Sequence, residues 1–214
     1  MNPEFNETST QPSTISYTNA FLNQVKLVAE RIDPGTIEGM VDLIASIRDR
    51  KGRLFFLGVG GGAANASHAV CDFRKLAGIE SYSPLDNVSE LTARSNDEGW
   101  DSVFCEWLKG SRLGDNDGVF VFSVGGGDLA RNISSNLVRA LEYAKRVGAK
   151  IMGVVGRDGG YTGKVADACV IVPTVNPDGV TPLTESFQAV IWHLIVSHPR
   201  ILASKMKWES TTGR

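Results

Sequence analysis

Residues 55–73 read FFLGVGGGAANASHAVCDF: an apolar run, a knot of glycines, then a helical pattern carrying one His and one Asp. His68 and Asp72 are four residues apart and therefore share one face of that helix. An imidazole beside a carboxylate can move a proton or bind a divalent ion. The glycine turn ahead of them lets backbone N–H groups approach an anion closely, and the helix start adds partial positive charge. A second such turn, SVGGGD at 123–128, follows another apolar run. His193 lies inside the nearly all-apolar SFQAVIWHLIV (186–196), where it needs a polar partner if buried. His198, before a proline at the end of that pattern, reads as a C-terminal capping residue.

The elements that must hold these groups are legible from periodicity. Residues 17–33 and 36–50 each carry a helical apolar stripe, with Thr36 as the predicted N-cap of the second. Strands are predicted at 53–58, more weakly at 79–83, and then at 118–123, 150–156 and 168–173. Helices are predicted from the first glycine turn to about Ala77, at 87–95 and 100–109, at 128–147, and from about Thr181 to Ser197; RDGGYTG (157–163) reads as a loop. Strands alternating with helices imply a parallel sheet covered on both faces, and continuous apolar strands fit that burial. Ligands bind such sheets beyond the carboxyl ends of the strands, the edge on which both glycine turns fall.

Composition narrows the function. The chain has 214 residues, 42% hydrophobic and 21% charged, and a net charge of −2. It suits one medium domain with a real core and carries no basic cluster, so no nucleic-acid partner is expected. No apolar run reaches the ~18 residues of a membrane span, so no membrane partner is expected either. Residues 1–15 read as a disordered tail, 16–204 as a single domain and 205–214 as a C-terminal tail. The three cysteines lack a CxxC pair, which argues against disulfides and Cys-type zinc sites and fits three buried thiols in a reducing cytoplasm.

Gly58, Gly60 and Ala63 fit a loose dinucleotide fingerprint, with Glu80 near the distance of a ribose-binding acid. Glu80 falls at a strand start rather than its end, two helices precede the first strand, and a second glycine turn follows. No nucleotide cofactor is expected.

GVGGGAANASH, NDEGW, FSVGGGD, GRDGGYT and TESFQAVIWH, in that order and spacing, resemble the sugar isomerase (SIS) domain proteins, most of all the phosphoheptose isomerases. The resemblance covers nearly all of residues 17–197. It implies a three-layer α-β-α sandwich around a five-stranded parallel sheet, preceded by two helices. It also implies a homotetramer with active sites at subunit interfaces. The implied reaction interconverts sedoheptulose 7-phosphate and D-glycero-D-manno-heptose 7-phosphate through an enediol, on the way to a surface polysaccharide. The small phosphorylated sugar would be the partner.

Enediol chemistry needs a base at carbon, an acid at the carbonyl oxygen and a group to stabilise the oxyanion, a role open to a metal. The family's helix carries a His and, four residues on, a Glu that acts as base and metal ligand. His68 matches, and Asp72 stands in the Glu position, with its carboxylate moved by ~1.5 Å. The family's last helix carries a Gln and a His eight apart. Glu185 and His193 have that spacing; an ungapped match instead gives Thr184 and Trp192. With the first pair, His68, Asp72, Glu185 and His193 form a set suited to zinc, with Asp72 as base and His193 as acid.

The implied substrate-binding residues are Gly60, Gly61, Gly62 and Asn65 at the first turn, Ser89 and Asp97, and Ser123, Gly125, Gly126 and Gly127 at the second. Both turns depart from the family, which places Ser and Thr hydroxyls there. Here Val59 replaces a polar Asn, Gly62 a Ser, and Asp128 brings a negative charge. Ser67 and Ser89 are candidate hydroxyls, and Lys75, Arg131 and Arg157 candidate cations. The same fold hosts non-catalytic sugar-phosphate sensors and assembly proteins, which is the alternative reading.

Overall fold

The computed structural model describes residues 14–211. Five parallel strands form one sheet: β1 (Leu54–Gly58), β2 (Ser81–Tyr82), β3 (Gly118–Ser123), β4 (Lys150–Val155) and β5 (Ala168–Ile171), in the order β2-β1-β3-β4-β5. Side chains alternate across the strands, and both faces are covered. Phe56, Phe120, Phe122, Met152 and Val154 point to one face. They pack there with α1 (Thr14–Arg31), α2 (Pro34–Asp49), α3 (Gly61–Lys75) and α8 (Val180–Ser197). Phe55, Leu57, Val119, Val121 and Ile151 point to the other. There they meet α4 (Val88–Asp97), α5 (Val103–Gly110), α6 (Ser135–Arg146) and α7 (Gly160–Val165). A short helix, α9 (Lys207–Thr211), lies within the segment read as a C-terminal tail. The tail expected at 1–15 falls, except for its last two residues, outside the described residues.

This strand order places the site. The chain leaves β1 for β2 on one side and resumes at β3 on the other, so β1 and β3 flank the topological switch point, where ligands bind open sheets of this order. The two glycine turns follow those two strands, and Gly58 pairs with Phe122. At the opposite edge Asp117, 4% exposed, accepts hydrogen bonds from Arg53 N (2.9 Å), Arg53 Nη2 (2.8 Å) and Gly114 N (3.0 Å). That pair ties the start of β1 to the start of β3.

Several boundaries differ from the sequence expectation. The cap of α2 is Asp33, not Thr36: its carboxylate accepts from Gly35 N and from the Thr36 hydroxyl, with Pro34 opening the helix. The helix expected over 128–147 begins only at Ser135. Asp128 and Ile133 pair as an antiparallel bridge, and Asn132 and Ser134 take positive φ. The loop expected at 157–163 contains the start of α7. Of the three thiols expected to be buried, Cys71 is exposed and the other two are partly covered. Burial still pushes the Cys169 thiol up to about 11. His198 is the C-cap of α8, as its position before Pro199 suggests.

α8 buries Leu183, Thr184, Phe187, Gln188, Ile191, Trp192, Ile195 and Val196. Trp192 is fully buried, and its indole N–H has no hydrogen-bond partner among the described residues. Replacing Trp192 with Ala should cost about 3–5 kcal/mol of unfolding free energy in urea melts. Trp192→Phe should cost about 1 kcal/mol, because the smaller cavity is offset by loss of an unsatisfied donor. Asp117→Ala should cost about 3 kcal/mol, since Arg53 and two backbone N–H groups lose their acceptor.

Candidate functional site

α3 and α8 run in the same direction along one face of the sheet, and polar contacts fix their register. Asn65 Nδ2 donates to the Glu185 carbonyl (3.1 Å) and to Gln188 Oε1 (3.0 Å). Gln188, fully buried, donates onward to the Val154 carbonyl of β4 (3.4 Å). With Gln188 pinned inward, the residues four before and four after it, Thr184 and Trp192, are also inward. Glu185 and His193 are then rotated to the rim that faces α3.

Further along this seam an imidazole–carboxylate cluster forms. His68, Asp72 and His193 offer ligand atoms that all lie within 4.8 Å of one another. The His68 and Asp72 side chains are 3.9 Å apart, and the His68 ring is 5.4 Å from that of His193 and 4.7 Å from that of Trp192. His193 Nδ1 lies 2.7 Å from the Ala189 carbonyl. A carbonyl only accepts, so Nδ1 carries a proton, and Nε2 is the nitrogen left for chemistry. Two imidazoles and a carboxylate are a donor set that zinc takes, with a fourth position open. Ligand distances of ~2 Å require the three groups to draw together slightly.

Glu185 is not part of this cluster. Its carboxylate lies on Gly61, where a Cβ would come 2.4 Å from Cδ. Four residues predicted as one metal set therefore divide into three that meet and one that sits at the glycine turn. His193 is exposed rather than buried, so the need of a buried histidine for a partner is not what places it.

The first turn presents less to solvent than its glycines suggest. Gly62 faces the sheet, since a Cβ there would lie 2.4 Å from the Phe122 carbonyl oxygen. The N–H groups of Gly62 and Ala63 close back on the carbonyls of Val59 and Gly60. Gly60 caps α3 at φ 60° and opens onto free space.

At the second turn the Gly126 N–H meets Ser123 Oγ (3.0 Å), while the Gly126 and Gly127 carbonyls accept from Thr162 N and Tyr161 N of α7. Gly126 and Gly127 are buried; Gly126 has φ 72°, and a Cβ on it would lie 2.0 Å from the Gly159 carbonyl oxygen. Their glycine identity is therefore required by packing. Asp128 pairs with Arg131 (3.4 Å) instead of capping α6.

Of the other predicted residues, Ser89 is exposed in the first turn of α4, and Asp97 ends that helix, exposed, accepting from Asn96. Ser67 donates to Asp86. Lys75 is exposed in the last turn of α3. Sequence reasoning missed Gln188 as the register pin. Its polarity within an apolar run, four residues from Trp192, was the available signal. A cavity of about 430 Å³ beyond the strand ends is lined by Val124, Arg157, Thr174, Pro177, Val180 and Thr181.

No protein-family model matches the chain. Among curated proteins it is 34% identical over 152 residues to the lincomycin biosynthesis protein LmbN of Streptomyces lincolnensis, matching 66% of this chain and about half (54%) of that protein's length. It is 30% identical over 168 residues to the phosphoheptose isomerase of Rhodospirillum rubrum, covering 76% of this chain and 82% of that one. The solved phosphoheptose isomerase GmhA of Neisseria gonorrhoeae superposes with a TM-score of 0.72 at 23% identity, over 85% of this chain and 94% of that one, which shows the shared fold. With its five-stranded parallel sheet, two leading helices and this identity over most of its length, the chain belongs to the phosphoheptose isomerase family of SIS-domain proteins.

Proposed function

We propose that the protein is an aldose–ketose isomerase of a phosphorylated sugar, with sedoheptulose 7-phosphate as the first substrate to test. The observation that carries this is the convergence of His68, Asp72 and His193, with Nε2 of His193 left free. The relative from Rhodospirillum rubrum, named a phosphoheptose isomerase, supports the same reaction class.

In this reading the Asp72 carboxylate removes a proton from C1 of the open-chain ketose while His193, protonated on both ring nitrogens, delivers the Nε2 proton to the C2 carbonyl oxygen. The enediol forms. Asp72 then returns the carbon-bound proton to C2 while His193 Nε2 takes the proton from the C1 oxygen, which gives the aldose. Asp72 is half-buried, which restrains its carboxylate beside the more exposed His68. His68, Asp72 and His193 are the residues that would hold a zinc ion, and such an ion would polarise the carbonyl in place of the His193 proton.

The active unit in this reading is residues 16–204, assembled as a homotetramer. Along α3, His68 lies about 10 Å and Asp72 about 16 Å beyond Gly61, so the triad is set well back from the glycine turns of its own chain. A triad exposed at a surface, with the apolar side chains of Val190, Leu194, Leu202 and Met206 beside it, suits completion of the site by another copy. No described helix is long and apolar enough to cross a membrane. The free thiols fit a reducing cytoplasm.

Coupled turnover of sedoheptulose 7-phosphate should be lowered about 10²–10⁴-fold by Asp72→Asn and by His193→Ala, with His198→Ala unchanged. An inert parent whose melting temperature still rises with the sugar phosphate would favour the sensor reading instead. Chelation should remove activity, and one equivalent of zinc per chain should restore it; activity indifferent to chelators would leave proton transfer to the side chains alone.

A further inference from the structure

The proposed substrate carries a phosphate, and several groups of the glycine turns are already engaged. Ser123 Oγ lies against Gly126 N, Asp128 N is bonded to the Ile133 carbonyl, and the first-turn N–H groups of Gly62 and Ala63 close on their own turn. At the first turn the Glu185 carboxylate already lies on Gly61. A cation at this edge would strengthen the hold on a phosphate.

Of the nearby cations, Arg131 is paired with Asp128. Lys164 borders only the cavity on the far side of the second turn, where Asp128 and Asp158 also contribute. Arg157 differs from both. Among the described residues it has no hydrogen bond or ion pair, and it lines the cavities on both sides of the second turn. In the cavity of about 430 Å³ it is the one charged side chain, facing the hydroxyls of Thr174 and Thr181 with no carboxylate in the lining.

Its backbone is fixed in place. A Cβ on the preceding Gly156 would lie 2.4 Å from Thr184 Oγ1 and 2.9 Å from the Val124 carbonyl oxygen, and Gly156 N donates to that same carbonyl (3.0 Å). The start of α8, the second turn and the end of β4 thus clamp the residue that bears the guanidinium.

We infer that Arg157 is the phosphate-binding residue of this chain, its planar fork taking two phosphate oxygens, with Thr174 and Thr181 beside it. The inference rests on the isomerase reading for its substrate, but its test does not need turnover. Calorimetric titration with inorganic phosphate and with sedoheptulose 7-phosphate should show binding by the parent. Arg157→Gln should weaken both about tenfold or more, as loss of a bidentate charged contact does, and Arg157→Lys should recover part of it. Arg131→Gln and Lys164→Gln should change neither by more than about twofold. Where turnover is measurable, Arg157→Gln should raise KM with kcat nearly unchanged, which a general loss of structure would not do. No phosphate binding by the parent, or binding unchanged in Arg157→Gln, overturns the inference. Arg157-dependent phosphate binding in a protein without isomerase activity overturns only the functional reading.

Discussion

One polar contact sets the geometry on which the rest depends. Asn65 of α3 holds Gln188 of α8, and Gln188 holds a carbonyl of β4, all within an apolar layer where an unpaired amide would cost roughly 1–3 kcal/mol. A slip of α8 by one residue would turn every side chain on it by about 100°. The amide network opposes that slip, because Phe187 or Ala189 would then take the place of Gln188 and leave Asn65 and the Val154 carbonyl without that partner. The same constraint turns Trp192 into the core and His193 toward His68 and Asp72. A hydrogen bond far from any reacting atom thereby decides which side chain of the last helix can do chemistry.

Much of this was legible in the sequence. Continuous apolar strands ending in glycines placed both turns on one edge of a parallel sheet, and the spacing of His68 and Asp72 placed them on one face. The register of α8 was not legible, because periodicity alone allows either Thr184 and Trp192 or Glu185 and His193 to face inward. It took the partners of Gln188, supplied by α3 and β4, to choose. The glycine turns were over-read. Gly62, Gly126 and Gly127 are glycines because backbone carbonyls or side chains of neighbouring elements lie where a Cβ would go. The start of α6 was missed because Asn132, a residue that tolerates positive φ, was read as helical instead of as part of the turn that closes the Asp128–Ile133 bridge.

The arrangement separates two tasks. The strand-end cavity is lined by Arg157 and two threonines, whereas the seam between α3 and α8 carries the groups proposed to transfer protons. Close packing at Gly156 fixes the backbone that bears Arg157, and the bond to the Ala189 carbonyl holds the His193 ring.

The most direct measurement is a crystal structure of the Asp72→Asn protein with sedoheptulose 7-phosphate bound. The account predicts Nε2 of His193 within hydrogen-bond reach of the C2 oxygen, the substituted amide at position 72 against C1, and Trp192 still inside the core. A ligand whose C1 and C2 lie away from residues 72 and 193 of every subunit, or an α8 turned so that His193 points elsewhere, would contradict it.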